Sequence, residues 1–423
     1  PAAWTATHRA PQPSTANAVL AHHQRTRTES RPKPRAQVVT CIDDREESLR
    51  RHLEELHPAW HTFGYAGFYG VSMAWRGLGE AHPVPLCPAG VVPQHIIEER
   101  PKRAHDEDWS SERQRRARRG QLGKVADTGS ATLVRGGLLS LAGLAALVPM
   151  VRGVLNPGAQ VTKAPPIPTT VTVFFNPEEP TADGKQLGYT RAESADIVAG
   201  VLKATGLVTE MADLVVFLGH GSCSMNNPHE AAHDCGACGG GRGGPNARVF
   251  ARMANDAEVR ALLRPMGVDI PDRTRFVGGY HNTADDNIEY YDLERIPESH
   301  KAGFAALRAD LEEARRRDAH ERCRRFESAP LDITLDDALR HVVGRANDLA
   351  QPRPEYGHAT NALCMVGRRA WSRGLFLDRR VFLTSYDPAA DPDGDVLEGL
   401  LASVGPVGAG INLEYYFSFV DRD

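Results

Sequence analysis

Apolar residues along this chain fall into two alternating rhythms. Short, nearly continuous β-branched runs stand at 37–42, 169–175 and 213–218, with the density of strands buried on both faces. Between and after them the spacing turns helical. Leu49, Leu53 and Leu56 recur within 46–56, and Ala195, Val198, Ala199 and Leu202 share one face of a helix expected over 191–204. Another helix is expected over 247–263, a charged one over 304–326 and a short one over 336–347, with two late strand candidates at 380–386 and 411–417. No internal repeat is evident. Strand and helix in alternation predict an α/β fold with a mostly parallel central sheet, and ligands of such sheets collect beyond the carboxyl ends of the strands.

The rhythm is interrupted twice. Residues 1–35, polar and rich in Ala, Pro and Arg, read as an N-terminal arm. Residues 78–167 read as a helical insertion into a core formed by 36–77 and 168–263, and 264–423 as an α+β region completing that core. The insertion holds prolines 83, 85, 88 and 93, then Arg113, Arg115, Arg116, Arg118 and Arg119, then an apolar stretch over 136–150. That stretch is shorter than the roughly 20 residues needed to span a bilayer. It is expected to be a buried or partner-packed helix. The arginine run is a solvated helix face, or a contact for anionic headgroups or an acidic partner rim.

Composition narrows the classes. A chain of 423 residues can bury a large core. A net charge of -4 with 25% charged residues points to neither nucleic acid nor membrane on average charge. Seven cysteines are too sparse for a disulfide-stapled secreted domain, so a reducing, cytoplasmic setting is expected. The start at Pro1, with neither Met nor an apolar signal core, reads as internal to a longer chain. The glycine-rich 236–244 lacks the Gly-Lys-Ser/Thr ending of a phosphate-binding loop.

The chemistry concentrates where apolar runs end. Cys41-Ile42-Asp43-Asp44-Arg45 closes the first run, and Gly219-His220-Gly221-Ser222 closes a later one, followed by Asp234-Cys235-Gly236-Ala237-Cys238. Residues 41, 43 and 45 share one face wherever the backbone stays extended. Thiolate, imidazole and carboxylate are zinc ligands, and zinc held by Cys, His and Cys keeps one position open for catalysis, whereas a permanent fourth ligand makes it structural. Asp43 can play either part, because Arg45 competes for its carboxylate. The expected chemistry is a zinc-generated hydroxide attacking a small electrophilic carbon such as that of CO2, with Asp43 taking the proton. A structural zinc made of Cys223, His233, Cys235 and Cys238 is the other arrangement, since Cys-x-x-Cys is a zinc spacing. Cys87, Cys323 and Cys364 read as structural. Two further functions compete: a non-catalytic, zinc-stabilised module that docks on and regulates a membrane cation-transport protein, and a zinc hydrolase of an organic substrate.

These motifs resemble the DabA family, once a domain of unknown function and now regarded as the β-carbonic-anhydrase-like subunit of a membrane inorganic-carbon uptake complex. The matching segments also include 62–70, Asn226-Asn227-Pro228, Gly244-Pro245-Asn246-Ala247-Arg248, Ser385-Tyr386-Asp387 and Ile411-Asn412-Leu413-Glu414-Tyr415-Tyr416. The resemblance implies a β-carbonic-anhydrase-like fold and zinc ligands Cys41, Asp43, His220 and Cys235, with Arg45 as partner of Asp43. It further implies CO2 and bicarbonate as reactants. The implied partner is an integral membrane, antiporter-like (DabB-like) subunit at the cytoplasmic face, coupling hydration to a proton or sodium gradient. Two departures matter. Asp44 and Glu46 stand where the family has a small aliphatic residue and Ser, which adds acid near the metal. Cys223 recreates with His220 a His-x-x-Cys spacing, so either Cys223 or Cys235 can supply the second thiolate; the Asp-Cys-Gly-Ala context favours Cys235.

Overall fold

The first apolar run becomes β1 (Ala36–Thr40), buried at every residue. Its β-branched side chains have no polar face to turn to water. The computed structural model describes residues 12–26, 32–88, 90–129, 132–155, 167–178, 184–208, 210–225, 240–351 and 361–410, with 413 and 420. β2 (Trp60–Gly64) runs parallel to β1, with Ala36 opposite Trp60. β3 (Met73–Arg76), β4 (Val84–Leu86), β5 (His95–Pro101), β6 (Thr169–Val171) and β7 (Gln186–Leu187) form a second, mixed sheet. β8 (Leu214–Gly221), β9 (Arg275–Asn282) and β10 (Asn287–Tyr290) complete the first sheet, in the order β10-β9-β8-β1-β2. It is parallel except at β10. β11 (Leu363–Gly367) and β12 (Val381–Ser385) make a separate parallel pair.

The period-2 alternation of the central strands divides the core between the two faces of the first sheet. Val39, Val215 and Phe217 pack with Val198, Leu202 and Phe250, which come from helices Arg191–Thr205 and Gly244–Ala254. Val38, Val216 and Leu218 pack the opposite way, against Leu49, Leu53, Leu307 and Leu311 of helices Glu47–Leu56 and Glu298–Cys323. Each such side chain, fully buried, contributes about 1.5–3 kcal/mol of transfer free energy. This two-sided cover fixes the sheet and therefore the positions of its strand ends.

Several elements depart from the sequence reading. The run at 169–175 forms only the three-residue β6, antiparallel to β5 in the second sheet, and an isolated bridge from Phe174 to Tyr189. Apolar density predicts a strand without saying which sheet it joins. The helix expected over 247–263 is two, Gly244–Ala254 and Ala257–Leu263, because the Asp256 side chain caps the second by accepting from the backbone of Glu258 and Val259. Part of the arm is the helix Gln12–Thr26, whose His23 ring lies 6.4 Å from that of Trp371. The strand expected at 380–386 pairs with β11 and not with the central sheet. Of 411–417 only Leu413 is described, in a helical conformation; the remainder lies outside the described residues.

The insertion carries helices Asp106–Gly129 and Leu133–Leu155. The arginine run is exposed on the first, with Arg115 and Arg116 both paired to Glu112. On the second, Leu141, Leu144, Val148, Val151 and Leu155 recur at helical spacing and are all exposed. Among the described residues no helix is long and apolar enough to cross a membrane.

Candidate metal centre

β1 and β8 are adjacent and parallel, so their carboxyl ends deliver Cys41 and His220 side by side. β1 stops at Thr40 and the chain turns: residues Asp44–Glu46 form a 3-10 turn whose N-cap is Asp43, accepting from the Arg45 backbone N–H at 2.9 Å. The extended face shared by 41, 43 and 45 is therefore not what brings Arg45 to Asp43. Arg45 folds back through the turn, and its Nε and Nη2 donate to Oδ1 and Oδ2 of Asp43 at 2.9 and 3.0 Å. His220 is still within β8, in register with His281 of β9.

Three backbones close on this point. A Cβ built on Gly67 would lie 3.1 Å from Cys41 Sγ and 3.5 Å from His220 Cβ, so both residues pack closely on the Gly67 backbone. A Cβ on Gly219 would fall 2.0 Å from the Gly243 carbonyl oxygen. Gly243 in turn donates its N–H to the His220 carbonyl at 2.8 Å. The backbone at Gly243 therefore lies directly against the end of β8. From the other side Phe382 of β12 and Val404 pack on Cys41 and Ile42, and Leu383 donates its N–H to the Ile42 carbonyl at 3.0 Å. Cys41, Asp43, Arg45, Glu46 and His220 are all buried.

The electrostatics centre on His220. Its Nε2 lies 3.3 Å from Asp43 Oδ2 and 2.9 Å from Arg45 Nη2, and its Nδ1 lies 3.1 Å from Glu46 Oε1. Burial opposes a charge on the ring, but Asp43, with Glu46 adding to it, outweighs burial and the opposing Arg45, so the His220 pKa lies above its ordinary value. Glu46 also reaches His281: Oε2 is 2.7 Å from His281 Nδ1. Burial raises the Glu46 pKa, but the two imidazoles lower it further and hold the carboxylate ionised. Burial likewise opposes charge on His281, yet Glu46 and Asp286 push its pKa up to about 10. Asp286, disfavoured as an anion by burial, is held at about 2 chiefly by Arg322, which donates to it at 2.7 Å.

The donor chemistry fits zinc: a thiol, an imidazole and a carboxylate, all buried, stand on adjoining strand ends, with His220 Nε2 3.3 Å from Asp43 Oδ2. Among the described residues, however, no three His, Cys, Asp or Glu side chains are gathered as a ready metal cage. The Arg45 guanidinium bridges imidazole and carboxylate, so metal binding requires it to yield His220 Nε2. Cys235, Cys238 and His233 lie outside the described residues, between Met225, whose N–H donates to the Ala346 carbonyl at 2.7 Å, and Gly240. Cys223 is partly buried, and its Sγ accepts from the Tyr280 hydroxyl at 3.4 Å. Tyr280 also lines a cavity of about 820 Å3, together with Trp75, Glu80, Arg242, Arg248 and Tyr291. Cys323 packs in a separate apolar cluster with Phe326 and Val342. His281, Asp286 and Arg322 escaped the sequence reading, because the strand that bears His281 contains Gly278 and Gly279 and shows no apolar run.

Comparison with known proteins places these residues in a wider context. The family profile described as "Probable inorganic carbon transporter subunit DabA" matches residues 2–423. Two curated relatives of that description, from Sorangium cellulosum and Rhodopirellula baltica, are 53% identical over 398 residues and 47% identical over 417. They are covered over 92% and 96% of this chain, respectively. A third, from Methylococcus capsulatus, is 47% identical over 424 residues and 96% of this chain. The chain spans 39% of the length of each of these three. No solved structure matches the chain.

Proposed function

Because the chain belongs to the DabA family of probable inorganic carbon transporter subunits, we propose that it carries the zinc centre at which such a subunit hydrates CO2 to bicarbonate. The observation that carries this reading is the two-pronged hold of Arg45 on Asp43, 3.3 Å from His220 and beside Cys41. A carboxylate so held is available as a base and is kept from acting as a permanent fourth ligand. Cys41, His220 and a second thiolate, Cys235, would hold the metal. Zinc, when bound, supplies the Lewis acidity that makes water a nucleophile near neutral pH.

The chain's own groups do the rest. As a water oxygen bonds to the carbon of CO2, one C–O π pair moves onto oxygen and the water loses a proton to Asp43, giving bicarbonate. Arg45 keeps both carboxylate oxygens aligned for that transfer and stabilises the anionic product through its guanidinium. Burial of Asp43, Arg45 and His220 shields them from bulk solvent. The exposed apolar stripe on Leu133–Leu155 supports docking on an integral membrane, antiporter-like subunit at the cytoplasmic face, which would couple hydration to a proton or sodium gradient.

Oxygen-18 exchange between CO2 and water, followed in membranes containing the full-length protein with its partner, tests the reading. Asp43→Asn is expected to lower exchange about 10²–10⁴-fold, the usual worth of a positioned base, with unchanged protein level. Exchange at the wild-type rate in this variant would remove Asp43 from the reaction and with it the proposed chemistry.

A further inference from the structure

His220 and His281 are register partners on neighbouring parallel strands, so their side chains emerge on the same face of the sheet. Between them stands one carboxylate. Glu46 offers Oε1 to His220 Nδ1 at 3.1 Å and Oε2 to His281 Nδ1 at 2.7 Å. Behind His281, Nε2 lies 3.6 Å from Asp286 Oδ1, and Asp286 Oδ2 accepts from Arg322 Nη1 at 2.7 Å. Arg322 is tied further to the Ala284 carbonyl at 3.1 Å. Every member of this row is buried.

A guanidinium only donates, and Arg45 Nη2 stands 2.9 Å from His220 Nε2, while Glu46 faces the Nδ1 atoms of both rings. The hydrogen-bond geometry therefore puts the His220 lone pair on Nε2, the atom that faces Asp43 and Arg45. We propose that Glu46, braced by His281, is the positioning residue for His220, fixing the tautomer and ring orientation that present Nε2 as a metal ligand. This deepens the zinc reading above and rests on it. Asp286, held by Arg322, faces His281 from the far side across 3.6 Å, an ion-pair contact and not a hydrogen bond. Partners of this kind on the second nitrogen of a ligating histidine typically set 10- to 100-fold in metal affinity.

Glutamine is the discriminating substitution. Its amide has one acceptor and one donor end, so it cannot accept from both imidazoles, and one ring must change tautomer or turn. Zinc affinity of the full-length protein, measured by competition with a chelator, is expected to weaken about 10- to 100-fold in Glu46→Gln. His281→Gln keeps a donor toward Glu46 and is expected to bind zinc near the wild-type affinity, whereas His281→Leu should weaken it in the manner of Glu46→Gln. The cobalt-substituted absorption spectrum is expected to be the same in Glu46→Gln and wild type, since the ligands are unchanged, and to lose its sulfur bands in Cys41→Ser. A folded Glu46→Gln that binds zinc as tightly as wild type overturns the positioning role and leaves the zinc centre standing. If Glu46→Gln does not fold, wild-type affinity in His281→Leu overturns it instead. A wild-type protein that binds no zinc removes the centre itself.

Discussion

Glu46, His281 and Asp286 are buried side by side with Arg322 fixed on Asp286, and the pH response of the fold follows from that arrangement. His281 is faced by Glu46 and Asp286, with Asp285 and Arg322 behind them, and its pKa is pushed up to about 10 against burial. In the unfolded chain a histidine titrates near about 6.5. Its contribution to stability is thus complete below about pH 6.5 and is lost as pH rises through about 10. The midpoint of thermal unfolding is expected to fall across that window in the wild type and to fall less in His281→Gln. Parallel curves would mean that His281 is neutral in the folded protein. Cys41, Asp43 and His220 were readable in the sequence because each sits at or next to the end of a dense apolar run. Glu46 was readable only as an extra acid. Its reach to His220 depends on the 3-10 turn at Asp44–Glu46, which reverses the direction that continued strand geometry would give.

At the scale of elements, the site depends on backbones that touch. β8 approaches the Gly243 segment so closely that Gly219 has no room for a side chain. Gly219→Ala is expected to cost about 1–3 kcal/mol, the usual penalty of overpacking, and to reduce zinc binding by displacing the loop that bears Cys235. Chemical denaturation and zinc content measure the two effects; an alanine variant with wild-type stability would show that the contact relaxes freely. β1 and β8 were legible because strands buried on both faces read as unbroken apolar text. β9 was not, because helix Gly244–Ala254 crosses it so tightly that a Cβ on Gly278 would lie 2.6 Å from the Ala247 carbonyl oxygen. Close packing there selects glycine, which erases the hydrophobic signal. The run at 169–175 shows the converse, apolar density that joins another sheet.

The molecule as a whole places its chemistry and its apolar surface on different elements. The proposed metal centre lies at the strand ends of the first sheet, whereas Leu141, Leu144, Val148, Val151 and Leu155 stand on a helix of the insertion that follows β5 of the second. An apolar stripe of five exposed side chains is costly to leave in water and marks an interface. Replacing Leu144 and Val148 together by Gln is expected to change unfolding stability by no more than about 0.5 kcal/mol per site, as for surface positions, and to abolish association with the proposed membrane partner. Retained association would move the interface elsewhere. The helix itself was legible in the sequence as an apolar stretch too short to span a bilayer; its exposure was not, since composition cannot distinguish a core helix from an uncovered one.

The claim on which all of this depends is a zinc ion bound through sulfur at the carboxyl ends of β1 and β8. Zinc-edge X-ray absorption of the purified full-length protein measures it directly. One zinc per chain is expected, with two sulfur neighbours near about 2.3 Å and two lighter donors, one sulfur being lost in Cys41→Ser. A protein without stoichiometric zinc, or zinc with no sulfur shell, would contradict it.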